Sequence, residues 1–214
     1  MTDNCLLITE MKPVIFIIDD DASVRKSLSR LLGSMGFAAE TFASAELFLD
    51  REHYDGVGCI ILDVRMPGLS GMDLQDELNK ADYSMPIIFI TGHGDIPMSV
   101  QAMKKGAADF LSKPFDHEEL LQAAKNAIEK DRKAKAERTE VHDIRRRMEL
   151  LTPREHEVLR HVITGMLNKQ IALKLDIAEP TVKIHRHRIM EKLCAESVTD
   201  LVRLAGKTGI DPAE

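Results

Sequence analysis

Short apolar runs alternate with helix-period segments over the first 128 residues. Val14–Ile18, Ala38–Phe42, Cys59–Leu62, Ile87–Ile90 and Asp109–Leu111 read as strands. Between and after them come Val24/Leu28/Leu31/Leu32, Leu47/Phe48/Leu49, Asp73–Lys80, Pro97–Lys105 and a segment starting near Asp116, which read as helices. Pro67, Gly68 and Gly71 leave a long loop before the third of these. Five strand–helix pairs in succession predict an α/β domain, a doubly wound five-stranded parallel sheet with helices on both faces.

Beyond Asp116 a proline-free helical stretch runs to about Leu151, with few apolar positions after Ile128. Val141, Ile144, Met148 and Leu151 recur at helical spacing, which fits either a short coiled-coil seam or a docking stripe. Thr152-Pro153-Arg154-Glu155 then combines an N-cap, a proline at the first helical position and a glutamate three residues on, so a new domain starts there. Val158, Leu159, Val162 and Ile163 stripe a first helix ended by Gly165; Ile171, Ala172 and Leu175 mark a second. Glu179–Leu193 is a third and Val198–Ala205 a fourth. The short Asp176-Ile177-Ala178 turn between the second and third predicts a helix-turn-helix within an all-α, four-helix domain. The predicted division is a domain over 13–128, a helical linker over 129–150 and a second domain over 151–214.

A chain of 214 residues suits two domains. Apolar residues at 44% and charged ones at 30% exclude wholesale disorder and a disulfide-dominated scaffold. No apolar run approaches the roughly 20 residues of a spanning helix, so no membrane association is expected. The first twelve residues do not read as a signal peptide. Cys5, Cys59 and Cys194 lack metal-type spacing and are odd in number, which predicts a reducing cytoplasm, with Cys59 a core residue. Residues 1–129 carry 11 basic and 21 acidic groups, a balance of −10, whereas 130–150 balance at +3 and 151–214 at +1. An acidic front half joined to a mildly basic back half predicts distinct partners.

In open parallel sheets ligands bind beyond the carboxyl ends of the strands. Asp19, Asp20, Asp63, Thr91 and Lys113 end the apolar runs there. Three carboxylates so gathered repel unless one is protonated or a cation neutralises them. A hard divalent ion fits, with Asp20 and Asp63 binding directly and Asp19 acting largely through water. Asp63 could then act as nucleophile towards a phosphoryl group, whose oxygens Lys113 and Thr91 would bind.

Ile18-Asp19-Asp20-Asp21, Leu62-Asp63-Val64-Arg65-Met66-Pro67-Gly68, Thr91-Gly92-His93-Gly94 and Phe110-Leu111-Ser112-Lys113-Pro114-Phe115 together resemble the receiver domain of two-component response regulators. The resemblance implies a flavodoxin-like strand order 2-1-3-4-5 and Asp63 as phosphoacceptor. It also implies Mg2+ (or Mn2+) held by Asp19, Asp20, Asp63 and the Arg65 carbonyl. Thr91 and Lys113 would sense the phosphoryl group, Phe110 would be the aromatic switch, and Lys113–Pro114 would be cis. Arg65 and His93 occupy positions at which the family tunes phosphate lifetime.

On the helix from Glu179, Val182, Ile189 and Leu193 share one side and predict its buried face. Lys183, Ile184, His187 and Arg188 then share the outer arc, with Arg186 on the flank. An exposed isoleucine among cations suits a thymine methyl. Leu151-Thr152-Pro153-Arg154-Glu155, Asn168-Lys169-Gln170-Ile171-Ala172 and Thr181-Val182-Lys183-Ile184-His185 resemble the LuxR-type helix-turn-helix. The whole chain is similar to the FixJ/NarL class, in its FixJ-like subgroup. The resemblance implies that Lys183, Ile184 and His187 read bases while Asn168, Lys169 and Thr181 contact phosphates. Ala178 departs from the serine or threonine cap common in the family; an alanine cap costs about 1 kcal/mol, partly offset by Pro180.

The expected function is a DNA-binding transcriptional regulator switched by phosphorylation of Asp63 by a sensor histidine kinase. Phosphorylation is expected to promote homodimerisation and binding to double-stranded promoter DNA, with RNA polymerase as a further partner. No enzymatic turnover is expected beyond self-dephosphorylation. Two alternatives are a phosphatase with an aspartyl-phosphate intermediate, disfavoured because Arg65 stands where such enzymes place a second aspartate, and a protein-binding scaffold that does not bind DNA.

Overall fold

The computed structural model describes residues 12–92 and 96–213. The readings on Cys5, on a leader in the first residues and on His93 lie outside the described residues. Strands β1 (Val14–Ile18), β2 (Ala38–Phe42), β3 (Gly58–Asp63), β4 (Ile87–Thr91) and β5 (Asp109–Ser112) form one parallel sheet in the order β2-β1-β3-β4-β5. The three last strands run one polar residue past the apolar pattern. The ladder carries them on, pairing Asp63 with Ile90 and Thr91 with Ser112, because main-chain bonding is indifferent to side-chain polarity.

Helices α1 (Ala22–Ser34), α2 (Ala45–Leu49), α3 (Gly71–Lys80) and α4 (Ile96–Lys104) connect successive strands, and α5 (His117–Met148) follows β5. Successive strand residues point to opposite faces. Ile15, Ile17, Ile61 and Ile88 therefore pack with Leu28 and Leu32 of α1 and Leu120, Ala124 and Ile128 of α5. Phe16, Ile18, Ile60, Leu62 and Phe89 pack with Phe48 of α2, Leu74 and Leu78 of α3 and Ala102 of α4. Burial of both faces explains why these strands read as unbroken apolar runs rather than alternating ones. Every residue of β3 is buried, whereas β5 pairs only with β4 and buries only Leu111. Cys59 is a core residue whose thiol burial pushes its pKa up to about 12.

Helix α3 begins two residues earlier than its apolar pattern, because Ser70 and Asp73 cap it reciprocally. Ser70 Oγ accepts the Asp73 N–H at 3.3 Å and Asp73 Oδ2 accepts the Ser70 N–H at 3.2 Å. The chain divides into two compact units between Ala136 and Glu137, within α5. In the first unit the buried Asp131 accepts the Gly58 N–H at 2.9 Å and the Lys135 ammonium at 2.9 Å, hooking α5 to the first residue of β3.

The second unit packs α6 (Pro153–Val162), α7 (Asn168–Leu175), α8 (Glu179–Leu193) and α9 (Val198–Thr208) around Val158, Leu159, Ile171, Val182, Ile189 and Leu201. Thr152 and Glu155 form the expected capping box at α6. That helix stops at Val162, and Gly165, at φ 85°, closes the turn after it rather than the helix itself. Ile144, Met148 and Leu151 are buried in the same core, so this stripe docks within the second unit.

Candidate functional site

Parallel strands deliver their last residues to a common edge, where Lys113 brings Asp19 and Asp63 together; the expected gathering of three carboxylates does not form among the described residues, because the Asp20 side chain is exposed. Asp19 and Asp63 are buried, whereas Asp20 is exposed. The Lys113 ammonium sits between the two buried carboxylates, 2.7 Å from Asp19 Oδ2 and 2.8 Å from Asp63 Oδ1. The remaining oxygens are held by main chain: the Asp21 N–H donates to Asp19 Oδ1 and the Arg65 N–H to Asp63 Oδ2, each at 2.8 Å. Lys113 reaches this position from the end of β5, where its N–H donates to the Thr91 carbonyl at 2.7 Å. The Lys113–Pro114 bond is cis, as expected.

Electrostatics follow from burial. Desolvation pushes the Asp19 carboxyl above its ordinary range, outweighing the Lys113 ammonium and the Asp21 N–H. Burial also opposes charge on Lys113, but its hydrogen bonds to Asp19 and Asp63 prevail and hold its pKa above the usual lysine value.

Such a pocket fits a hard divalent cation. Among the described residues no three acidic, histidine or cysteine side chains form a ready-made metal cage. Two buried carboxylates next to the exposed Asp20 match Mg2+, which binds through one or two carboxylates and keeps several of its waters.

Two residues absent from the sequence reading of this site shape it. Arg25, on α1, donates to the Asp19 carbonyl at 2.6 Å and to the Asp20 carbonyl at 2.9 Å, clamping the acidic loop. Gly71 lies so close to the end of β3 that a Cβ there would stand 2.2 Å from the Asp63 carbonyl oxygen. The glycine was visible in the sequence as part of a long loop; the contact that requires it was not. Thr91 is fully buried, and Phe110 is half-buried with its ring centroid 6.2 Å from that of Phe89.

In the second unit the α7–α8 turn places Asp176 in the left-handed region at φ 51°. Ala178 makes no side-chain cap bond at α8, and Pro180 lies in its first turn, consistent with the departure noted above. Val182, Ile189 and Leu193 are buried, whereas Lys183, His187, Arg188 and the 52% exposed Ile184 form the outer face. Arg186, Thr181 and Asn168 are half-buried and Lys169 is exposed. A helix with such a face, preceded by a short turn and a second helix, can enter a major groove.

Comparison with known proteins agrees with both halves. The response regulator receiver domain family matches residues 15–125, and the bacterial regulatory proteins of the luxR family match residues 149–205. Nodulation protein W of Bradyrhizobium diazoefficiens is 48% identical over 199 residues, covering 93% of this chain and 88% of that protein. Response regulator protein TodT of Pseudomonas putida is 49% identical over 191 residues, covering 89% and 84%. The solved structure of the response regulator StyR superposes with a TM-score of 0.85 at 47% identity, covering 92% of this chain and all of that one. Among the described residues no helix is long and apolar enough to cross a membrane. With a receiver fold in front, a LuxR-family helix-turn-helix behind and full-length relatives of the same make-up, the chain belongs to the response regulators and is a phosphorylation-controlled transcriptional regulator.

Proposed function

We propose that Asp63 is the phosphoacceptor of a receiver spanning residues 13–128, coupled through a linker over 129–150 to a DNA-binding domain over 151–214. A carboxylate oxygen of Asp63 attacks the phosphorus of a phosphohistidine on a sensor kinase; the P–N bond breaks, and the freed imidazole takes up a proton from water. Receiver domains generally bind Mg2+ at their phosphorylation site. Here Asp19, Asp20, Asp63 and the Arg65 carbonyl would hold Mg2+ (or Mn2+), which supplies charge neutralisation that lets an anionic phosphoryl group approach a carboxylate. Lys113 exchanges part of its bonding to Asp63 for a phosphoryl oxygen, and the Thr91 hydroxyl takes another. The acyl phosphate adds a charge of about −1.5 to −2 by the general rule for phosphorylation. Thr91 and Phe110 respond to it.

The output is promoter binding. Lys183, Ile184 and His187 face bases, Arg186 and Arg188 flank them, and Asn168, Lys169 and Thr181 meet phosphates. One small module makes few contacts, so phosphorylation-promoted homodimerisation supplies affinity by joining two half-sites. The bound dimer then engages RNA polymerase. The protein acts in the cytoplasm as a switch, without turnover of a substrate beyond loss of its own phosphoryl group.

The observation that carries this reading is the Lys113 ammonium held between Asp19 and Asp63 at the carboxyl edge of the sheet. The test is phosphorylation by acetyl phosphate, with binding to the chain's own upstream region measured alongside. Wild type is expected to take up phosphate and bind more tightly, and Asp63→Asn to do neither. An equal response in both would overturn the proposal.

A further inference from the structure

Most cations of the second unit are already occupied. Arg154 pairs with Glu157, Lys192 with Glu155, and Arg203 and Lys207 with Glu140; Arg160 donates to the Asp211 carbonyl. Lys183 has Glu179 at 3.7 Å. Among the described residues, the cations of this unit left with no such partner fall in two places. One set, Lys169, Arg186 and Arg188, lies on the helices proposed to meet DNA. The other is Arg145, Arg146 and Arg147, the last turn of α5.

The second set does not follow from packing. Ile144 and Met148 point into the core, leaving Arg145 and Arg146 exposed and Arg147 half-buried. Its position is fixed relative to α8, because the Lys192 ammonium, in the last turn of α8, donates to the Leu150 carbonyl at 3.0 Å. The carboxyl end of α5 therefore leads directly to the carboxyl end of the candidate recognition helix. Three successive arginines in the turn that leads to this contact, in a chain that is net negative overall, suit a polyanion of regular charge spacing.

We infer that Arg145, Arg146 and Arg147 form a second contact for DNA phosphates, on the backbone flanking the groove that α8 enters. The inference rests on the proposed DNA-binding role of α8. These residues add affinity without reading sequence, since phosphate contacts position a protein rather than specify its site. They also extend the nucleic-acid surface beyond the four-helix domain into the segment that precedes it. A different role, favourable interaction with the α5 helix dipole alone, would make them matter for thermal stability and not for DNA.

Salt dependence separates these roles. The full-length protein, treated with acetyl phosphate, is titrated onto a fluorescein-labelled mixed-sequence duplex over a range of sodium chloride concentrations. Each lost phosphate contact flattens the slope of log K against log salt by about 0.9. The Arg145→Gln/Arg146→Gln/Arg147→Gln variant is expected to flatten it by about 2 to 3, and Lys substitution at the same positions to restore it. Unchanged slope in a Gln variant whose circular dichroism and melting match wild type would overturn the inference. So would loss of melting temperature with the slope intact. If wild type itself shows no salt-dependent binding, the DNA-binding reading of α8 fails first.

Discussion

Lys113 Nζ lies 2.8 Å from Asp63 Oδ1, although the two residues are 50 positions apart in the chain. The contact keeps the buried Asp63 carboxyl paired, and its removal leaves the side chains of Asp19 and Asp63 without the cation between them. Lys113→Met is therefore expected to cost about 1–3 kcal/mol, the range for an unsatisfied buried polar group. Because the folded-state pKa of Lys113 is raised, its contribution is fully present below the unfolded value of 10.5 and is lost as pH rises through the folded value. Urea unfolding should show the gap between wild type and variant narrowing above pH 10.5.

Asp19 shifts in the same direction, but in its case the neutral form is the one that folding favours. Burial raises its folded-state pKa above the ordinary 3.8, so the native protein binds this proton more tightly than the unfolded chain. Stability from this group falls as pH rises from 3.8 through the folded value. Asp19→Asn is expected to remove that decline and to be the more stable protein at neutral pH. Its Mg2+ affinity, read by calorimetric titration, should drop about 10- to 100-fold, as for loss of an outer-shell metal partner.

Gly71 tests the close approach of α3 to the pocket. Gly71→Ala is expected to cost about 1–3 kcal/mol by overpacking, and to slow phosphorylation of Asp63 by acetyl phosphate as the end of β3 shifts. Gly206, in α9, has nothing within 4 Å of the place a methyl group would take. Gly206→Ala should instead gain about 0.4–1 kcal/mol. Equal effects in the two variants would show that the contact with the Asp63 carbonyl is not what constrains Gly71.

Two isoleucines on α8 separate folding from recognition. Ile189 is fully buried and Ile184 is 52% exposed. Ile189→Ala is expected to destabilise the second unit by about 2–5 kcal/mol, whereas Ile184→Ala should stay within about 0.5 kcal/mol of wild type. Only the latter should bind its own upstream region more weakly while melting normally, in footprinting and thermal unfolding run side by side.

The strands and the acidic edge were legible because both leave local marks. A strand buried on both faces must be an apolar run, and the polar residue that ends it is the one delivered to the edge. What stayed hidden depends on contacts between distant segments. Arg25 resembles any basic residue on a solvated helix until its guanidinium is seen on the Asp19 and Asp20 carbonyls. Asp131 reads as one more charge in a linker, yet it caps Gly58, 73 residues away. The stripe through Ile144, Met148 and Leu151 had a period but no partner, since periodicity identifies a face and not what covers it. The early start of α3 came from Ser70 and Asp73, whose capping pattern lies inside a segment dominated by proline and glycine.

The uneven burial of the strands gives the sheet a mechanical gradient. β3 is clamped by a neighbour on each side and by packing above and below, so a force applied at Asp63 meets a stiff member along its own axis. β2 and β5, at the two margins, are each bonded along one side and seal at most one side chain, which makes the rims more compliant than the centre. Under the role proposed for Asp63, work done by a new charge there is expected to be absorbed through Lys113 and Phe110 at the β5 rim rather than along the rigid centre.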